Sequence, residues 1–356
     1  MDRSTAGRGD WLTTVAVGLA ALVPRLYVAV AWAREPVWDG HYYDFGAQRI
    51  AAGLGYSNDL VMGGQVVWHP WCHYPVGYSG FLAALYTLFG DGGLVAPVAN
   101  AVLGMLIVML THRIALHMLS ARRARLAAVL CAASPELVFY SPLVMTELLA
   151  TFLPLLAGFT VLLHGARARL RGAALAGGIM GLATLVRPQS LLFVPVLGLM
   201  LMRTGWRRDA FRAAGLAAVA SVVALLVVAP WTYRNCRVMD GCALVSTNGG
   251  WNLAIGALER ATGRFETLRA ADGCRVVTGQ VQQDRCWAQQ GLAAIARDPA
   301  RWLGLAPKKL GHCFDHASFP VEYLREANPA AWPEARRLWW REFLTFLHRL
   351  LLSGAG

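Results

Sequence analysis

The residues best suited to chemistry lie in polar stretches between apolar runs. The first stretch reads Trp38-Asp39-Gly40-His41-Tyr42-Tyr43-Asp44, then Gly53-Leu54-Gly55-Tyr56, then His69-Pro70-Trp71-Cys72-His73-Tyr74-Pro75-Val76-Gly77-Tyr78. A second, shorter one holds Thr146 and Glu147. A carboxylate just beyond an apolar span, among aromatic rings and a loop shaped by Gly and Pro, sits at the level of lipid headgroups. It can take a proton from a hydroxyl there while the rings stack on a sugar. Each acid also has a structural reading. Asp39 could cap the helix containing Tyr43 to Ala52, and Glu147 could be an acid favoured by a helix N-terminus.

The elements that must position these groups are membrane spans. Of 356 residues 56% are hydrophobic and only 15% charged, against about 25% charged in soluble domains. That composition excludes disorder and a disulfide mini-scaffold. The net charge of +12 comes from 33 basic residues, and only Lys308 and Lys309 among them are lysines. Most of the arginines stand in short stretches between apolar runs, which is the pattern of cytoplasmic loops rather than of a nucleic-acid surface. Nucleic acid is therefore not an expected partner; the lipid bilayer is.

A first span runs from Trp11 to Ala33, after Arg3 and Arg8. Later apolar runs cover about 94 to 117, 126 to 145, 148 to 164, 172 to 202 and 213 to 230. Between them lie Arg113, Arg122, Arg123 and Arg125, then Arg167, Arg169 and Arg171, then Arg203, Arg207, Arg208 and Arg212. With all three clusters and the N-terminus in the cytoplasm, the crossings between clusters must be even in number. The run 172 to 202 must then go out and return, turning near Arg187-Pro188-Gln189. Runs 126 to 145 and 148 to 164 form a hairpin with Thr146 and Glu147 at its outer turn. Residues 34–93 fall outside, and the apolar stretch Tyr78 to Phe89 is too short to cross, so it lies on the membrane.

This gives an all-α polytopic membrane protein. Residues 1–230 form a core of about seven spans that includes the outer loop 34–93. Residues 231–337 form an extracytoplasmic segment, and 338–356 an interfacial helix or the start of an eighth span. Gln283 to Arg297 reads as an amphipathic helix stopped by Asp298-Pro299. Of seven cysteines, Cys131 falls in a span, while Cys72, Cys236, Cys242, Cys274, Cys286 and Cys313 fall outside, where disulfides can form. Cys236 with Cys242 and Cys274 with Cys286 are the local pairings. His69 and His73 could ligate a metal if their segment were helical, but Pro70 and Pro75 argue for a loop. No metal ligands are assigned.

The arrangement along the chain resembles the GT-C class of membrane glycosyltransferases, of the dolichyl-phosphate-mannose protein mannosyltransferase and aminoarabinose-transferase type. The resemblance rests on Asp39 to Gly55, Tyr74-Pro-Val-Gly-Tyr78, Phe81-Leu-Ala-Ala-Leu and Leu88-Phe-Gly90, and on Tyr140-Ser141 to Thr146-Glu147. It continues through Leu185-Val-Arg-Pro188, Ala229-Pro-Trp-Thr-Tyr-Arg-Asn235, Ser246-Thr-Asn-Gly-Gly-Trp-Asn252, and Pro299 with Lys308-Lys309-Leu310.

The resemblance implies a GT-C-like bundle of transmembrane helices whose extracytoplasmic loops carry juxtamembrane helices. It implies transfer of a sugar, with inversion, from a polyprenyl-phosphate donor to an acceptor lipid, glycan or protein outside the plasma (inner) membrane. Asp39 matches the general base, and Glu147 matches an acid that assists it or orients the acceptor. Arg187, Arg234 and Lys308 are the candidates for the donor phosphate; Tyr43, His73 and Tyr78 are those for the sugar or acceptor. Some members of the broader class use a divalent metal, which stays open here. Relatives continue for several more spans, so a chain ending at Gly356 reads as a short relative. The alternative readings are a non-catalytic homologue that binds lipid-linked sugar, and a secondary transporter.

Overall fold

The structure is a computed structural model that describes residues 8–354 except 33, 165–168, 201–205, 276–278 and 316–317. Arg3, Arg167 and Arg203, counted above among the basic clusters, lie outside the described residues, as does the Cys313 side chain. The chain divides into two compact units: Met1–Gly55 with Pro75–Pro230, and Tyr56–Tyr74 with Trp231–Gly356. Residues 56–74, read from the sequence as part of the first unit's outer loop, thus group with the C-terminal segment.

The first unit is helical. It contains α1 (Arg8–Trp32), α2 (Asp39–Ala51), α3 (Val76–Phe89), α4 (Val95–Met118), α5 (Ala121–Ala132), α6 (Pro135–Phe139), α7 (Glu147–His164), α8 (Arg169–Val186), α9 (Val196–Met200) and most of α10 (Trp206–Val238). Among the described residues five helices are long and apolar enough to cross a bilayer: Asp10–Trp32, Val95–Met118, Glu147–His164, Arg169–Val186 and Ala210–Val238. The protein is a multi-pass membrane protein. The α3 helix has 14 residues, about 21 Å at 1.5 Å per residue, short of a ~30 Å hydrocarbon core.

Two of the seven expected spans are not continuous helices. The run 126 to 145 breaks between α5 and α6 at Ser134-Pro135, because proline lacks an N–H and disfavours helical backbone in the residue before it. Broken backbone in a lipid setting needs its carbonyls satisfied from within the protein. Arg25 of α1, fully buried, does this: its guanidinium donates to the carbonyls of Ala132 (3.1 Å), Cys131 (3.4 Å) and its own Ala21 (2.8 Å). Gly104 of α4 leaves the room, since a Cβ there would stand 2.6 Å from Arg25 Nε. The run 172 to 202 turns at Arg187-Pro188 as expected, and its second half is a 3-10 segment, Pro188–Phe193, and the short α9 in place of one helix, up to the last described residue at 200.

Close backbone contact holds the long helices. In α8, Gly177 and Gly181 lie one turn apart, and a Cβ on them would stand 2.4 Å from Ala220 O and 2.7 Å from Val227 Cβ of α10. Small residues four apart are how helices approach in lipid, where burial of apolar surface gives little drive.

The second unit contains an antiparallel hairpin, β1 (Ser57–Met62) with β2 (Gln65–Pro70), turning at Gly63 and Gly64, both with positive φ. Its helices are the end of α10, then α11 (Gly249–Ala257), α12 (Gln280–Arg297), α13 (Pro299–Gly304), α14 (Ala306–Asp315), α15 (Phe319–Ala327) and α16 (Glu334–Gly354). Disulfides join Cys236 to Cys242 and Cys274 to Cys286, the two pairings expected from spacing. Carboxylates start two of its helices. Asp240 accepts from the N–H groups of Val281 and Gln282 on α12, and Asp284 from those of Gly250 and Trp251 on α11.

Candidate active site

The first unit gathers Asp39, Glu147 and Arg187 by way of two glycine contacts. Gly40, the second residue of α2, has the Val144 carbonyl 2.9 Å from where its Cβ would be. That seats the start of α2 against the turn that leads into Thr146 and Glu147. Gly77 of α3 abuts Leu185 and Val186 at 2.5 Å in the same sense, just before Arg187. The α2–α3 pair is itself locked by Ser79 donating to the Tyr43 carbonyl, 2.9 Å, and by Tyr86 donating to Asp44, 2.5 Å.

Asp39 is the first residue of α2, not the residue that precedes the helix; Trp38 holds that position and its side chain makes no capping hydrogen bond. Trp38 has φ 50° and ψ −126°, and is the one non-glycine residue with positive φ among the described residues. Such a conformation costs about 1 to 3 kcal/mol and persists only where the surroundings enforce it. Here it turns the chain abruptly into α2 and fixes where Asp39 begins. The Asp39 carboxylate, half-buried, is close enough to act electrostatically on Glu147.

Glu147 opens α7 and pairs with Arg187, whose Nη2 donates to Glu147 Oε1 at 2.7 Å. Arg187 also donates to Thr146 Oγ1 from Nε (3.1 Å) and Nη2 (2.8 Å). Arg187 Nη1 and the buried Glu147 Oε2 have no hydrogen-bond partner among the described residues. The Arg187 side chain is 38% exposed. The set is thus a half-open cation held from one side by a hydroxyl and a carboxylate. Thr146, named above only as Glu147's neighbour at the turn, proves to be a direct partner of Arg187.

Tyr43 and Tyr78, expected to touch sugar or acceptor, face the protein interior instead. Tyr43 is 7% and Tyr78 0% exposed, their rings meet edge to face at 5.6 Å, and the Tyr78 hydroxyl donates to Asn100 Oδ1. Asn100 Nδ2 in turn donates to the Leu143 carbonyl at 2.6 Å. The two tyrosines are therefore struts that hold α2, α3 and the 140–147 turn. Burial also pushes the Asp44 carboxyl above its ordinary pKa, with the Tyr86 hydrogen bond opposing.

The remaining candidates belong to the second unit. Arg234 donates to the carbonyls of Tyr56 (2.6 Å) and Trp71 (2.9 Å) and lies over the Trp231 ring at 4.7 Å. It fastens the base of the hairpin to the end of α10, so the structure gives it a scaffold role in place of the phosphate contact expected. Lys308 is exposed on α14, while Lys309 donates to the Gly256 carbonyl and lies over Trp302. His73 meets the rings of Tyr74 and Trp251 edge on. His69 is on β2 and His73 in the turn after it, so neither is helical. Cys72 is buried beside Thr247, and its thiol is pushed up to about 11 by that burial.

For a divalent ion the donor set is thin. Glu147 is already neutralised by Arg187, and among the described residues no three His, Cys, Asp or Glu side chains gather.

Comparison with known proteins meets this geometry over the core. The profile of the dolichyl-phosphate-mannose-protein mannosyltransferase family matches residues 73–233, a stretch that includes Glu147 and Arg187. The chain is thus similar to the GT-C type of membrane glycosyltransferase, as its motifs implied. A search of curated protein sequences finds no match. Among solved structures, the Archaeoglobus fulgidus oligosaccharyltransferase, tethered with an acceptor peptide, aligns with 13% identity and a TM-score of 0.48. The alignment covers 83% of this chain and 35% of that one, so this chain spans about a third of its length.

Proposed function

We propose that this protein is a membrane glycosyltransferase that moves a sugar from a polyprenyl-phosphate donor to a hydroxyl-bearing acceptor at the extracytoplasmic membrane surface. Asp39 takes the proton of the acceptor hydroxyl, and the oxygen attacks the anomeric carbon with inversion. The bond from that carbon to the phosphate oxygen breaks, and the polyprenyl phosphate leaves with the electron pair. Negative charge grows on the phosphate in the transition state, where a fixed cation is worth most. Arg187 supplies that cation: Thr146 and Glu147 hold Nε and Nη2, and Nη1 is left for a phosphate oxygen. Glu147 is on this reading a positioning residue for Arg187.

The observation that carries the reading is the assembly of Asp39, Glu147 and a half-open Arg187 by the contacts of Gly40 and Gly77. The family match over residues 73–233 supports the donor class. Purified chain in vesicles, offered a panel of labelled polyprenyl-phosphate sugars and mixed acceptors, tests it. Transfer from at least one donor, reduced on the order of a hundredfold by Arg187→Gln, is the expected result. No turnover with any donor, with the labelled lipid still bound, would favour a non-catalytic binder.

A further inference from the structure

The helix α16 carries an apolar stripe left open to solvent among the described residues. Its Leu344 is buried, whereas Trp339, Phe343, Phe346 and Leu350 are 58%, 39%, 65% and 53% exposed. Their spacings of four, three and four residues put all four on one face. Trp339 and Phe343 stack at 5.4 Å with their planes 5° apart, so the stripe is an ordered surface. The neighbouring α14, which packs against α16, exposes Leu310 and Phe314 as well.

What covers this stripe is indicated by its borders. Helical geometry places Arg336 on one side, where it donates to the Ala331 carbonyl and lies over the Trp332 ring, and Arg349 with Glu342 on the other, while Arg341 stands on the face opposite the stripe. Arg349 and Arg341 are exposed; Arg337 is neutralised by Glu322 and Glu334. The balance along the stripe is cationic. With Arg336, Arg337, Arg341, Glu342 and Arg349 within 21 residues, α16 is not among the helices apolar enough to cross a bilayer. A long helix with aromatic and aliphatic side chains on one face and arginines beside them is built for the boundary between headgroups and acyl chains.

We propose that α16 docks flat on an anionic phospholipid bilayer, with Trp339, Phe343, Phe346 and Leu350 sunk to the acyl boundary and Arg349 on lipid phosphates. This does not depend on the catalytic reading: the surface would bind lipid whether or not the chain transfers sugar.

The test is a nitroxide scan of residues 339–350 on the full chain in nanodiscs, with the cysteines outside the two disulfides replaced by serine. Collision with oxygen against a water-soluble nickel complex should oscillate with a period of about 3.6 residues, with apolar maxima at 339, 343, 346 and 350. Arg349→Gln should lower the docked-to-free ratio about fivefold on anionic lipid and leave it unchanged on neutral lipid. Phe346→Glu, on the open face, should release the helix. A depth profile running steadily through the hydrocarbon centre would make α16 a span and overturn the proposal. Protection from both reagents that rises with protein concentration would assign the stripe to a second copy, and equal docking on neutral and anionic lipid would refute the charge preference. Labelling of the unmodified chain by a diazirine-bearing anionic lipid gives a cysteine-independent check: adducts within 339–350 support docking, and their absence contradicts it.

Discussion

Helix backbones touch at glycines in both units, and the units differ in what they add to that contact. In the first, backbones touch: Gly177 and Gly181 of α8 press on α10, and Gly77 on the end of α8. Its fully buried Arg25 serves the carbonyls of a broken helix. In the second unit, Gly250 and Gly291 bring α11 and α12 together in the same way, and two disulfides and the carboxylates of Asp240 and Asp284 are added to that contact. Lipid offers little drive for helices to associate, so fit must supply it; disulfides add stability by constraining the unfolded chain. The arginines repeat the contrast. Arg234 has both terminal nitrogens on carbonyls and is scaffold, whereas Arg187 is held from one side and keeps a donor open.

The contrast can be broken most severely at the glycines. Gly177→Val should cost about 3 kcal/mol or more, because the added atoms meet the backbone at Ala220 and not a side chain that can move; thermal unfolding in detergent should show it as loss of the first unit's helices. Replacing Cys274 and Cys286 by serine should cost about 2 to 3 kcal/mol. Hydrogen exchange should then quicken in α11 and α12, with α4 and α8 unchanged. Asp240→Ala, which strips two N–H groups of their acceptor, should cost about 1 kcal/mol, confined to the start of α12.

The smallest expected effect is a pH slope. Burial raises the Asp44 pKa above its ordinary 3.8, so the folded state holds this proton more tightly than the unfolded chain. Its contribution to stability is fully present below the unfolded pKa and is lost as pH rises through the folded one. The difference in unfolding midpoint between wild type and Asp44→Asn should therefore shift against wild type from pH 3.8 upward, and a flat difference would show Asp44 to be unperturbed.

Much of this organisation could be read from residue patterning. The arginine clusters demanded a turn at Arg187-Pro188 and an outer turn at Thr146-Glu147, and the chain breaks at both. The length of the Tyr78 to Phe89 run forbade a crossing, and cysteine spacing gave both disulfides. Hydropathy alone could not show that 126 to 145 is broken, since Ser134-Pro135 sits among apolar neighbours and its rescue by Arg25 comes from a helix about 110 residues away in sequence. Nor could it show that Tyr43 and Tyr78 point inward. An amphipathic ring suits a sugar site and a hydrogen-bonded core equally, and Asn100, which decides the matter for Tyr78, is on another helix. Arg234 is ambiguous for a related reason: a basic residue beside tryptophan looks the same in sequence whether its partner is a lipid phosphate or the carbonyls it meets here.

The central claim is that the carboxylate fixed by the Trp38 turn removes the acceptor's proton. The rate of sugar transfer by Asp39→Asn, in the same vesicles and with the same donor as wild type, tests it most directly. The account predicts a fall on the order of a hundred- to ten-thousandfold with labelled donor still bound and the unfolding midpoint unchanged. A variant that transfers sugar at the wild-type rate would contradict it.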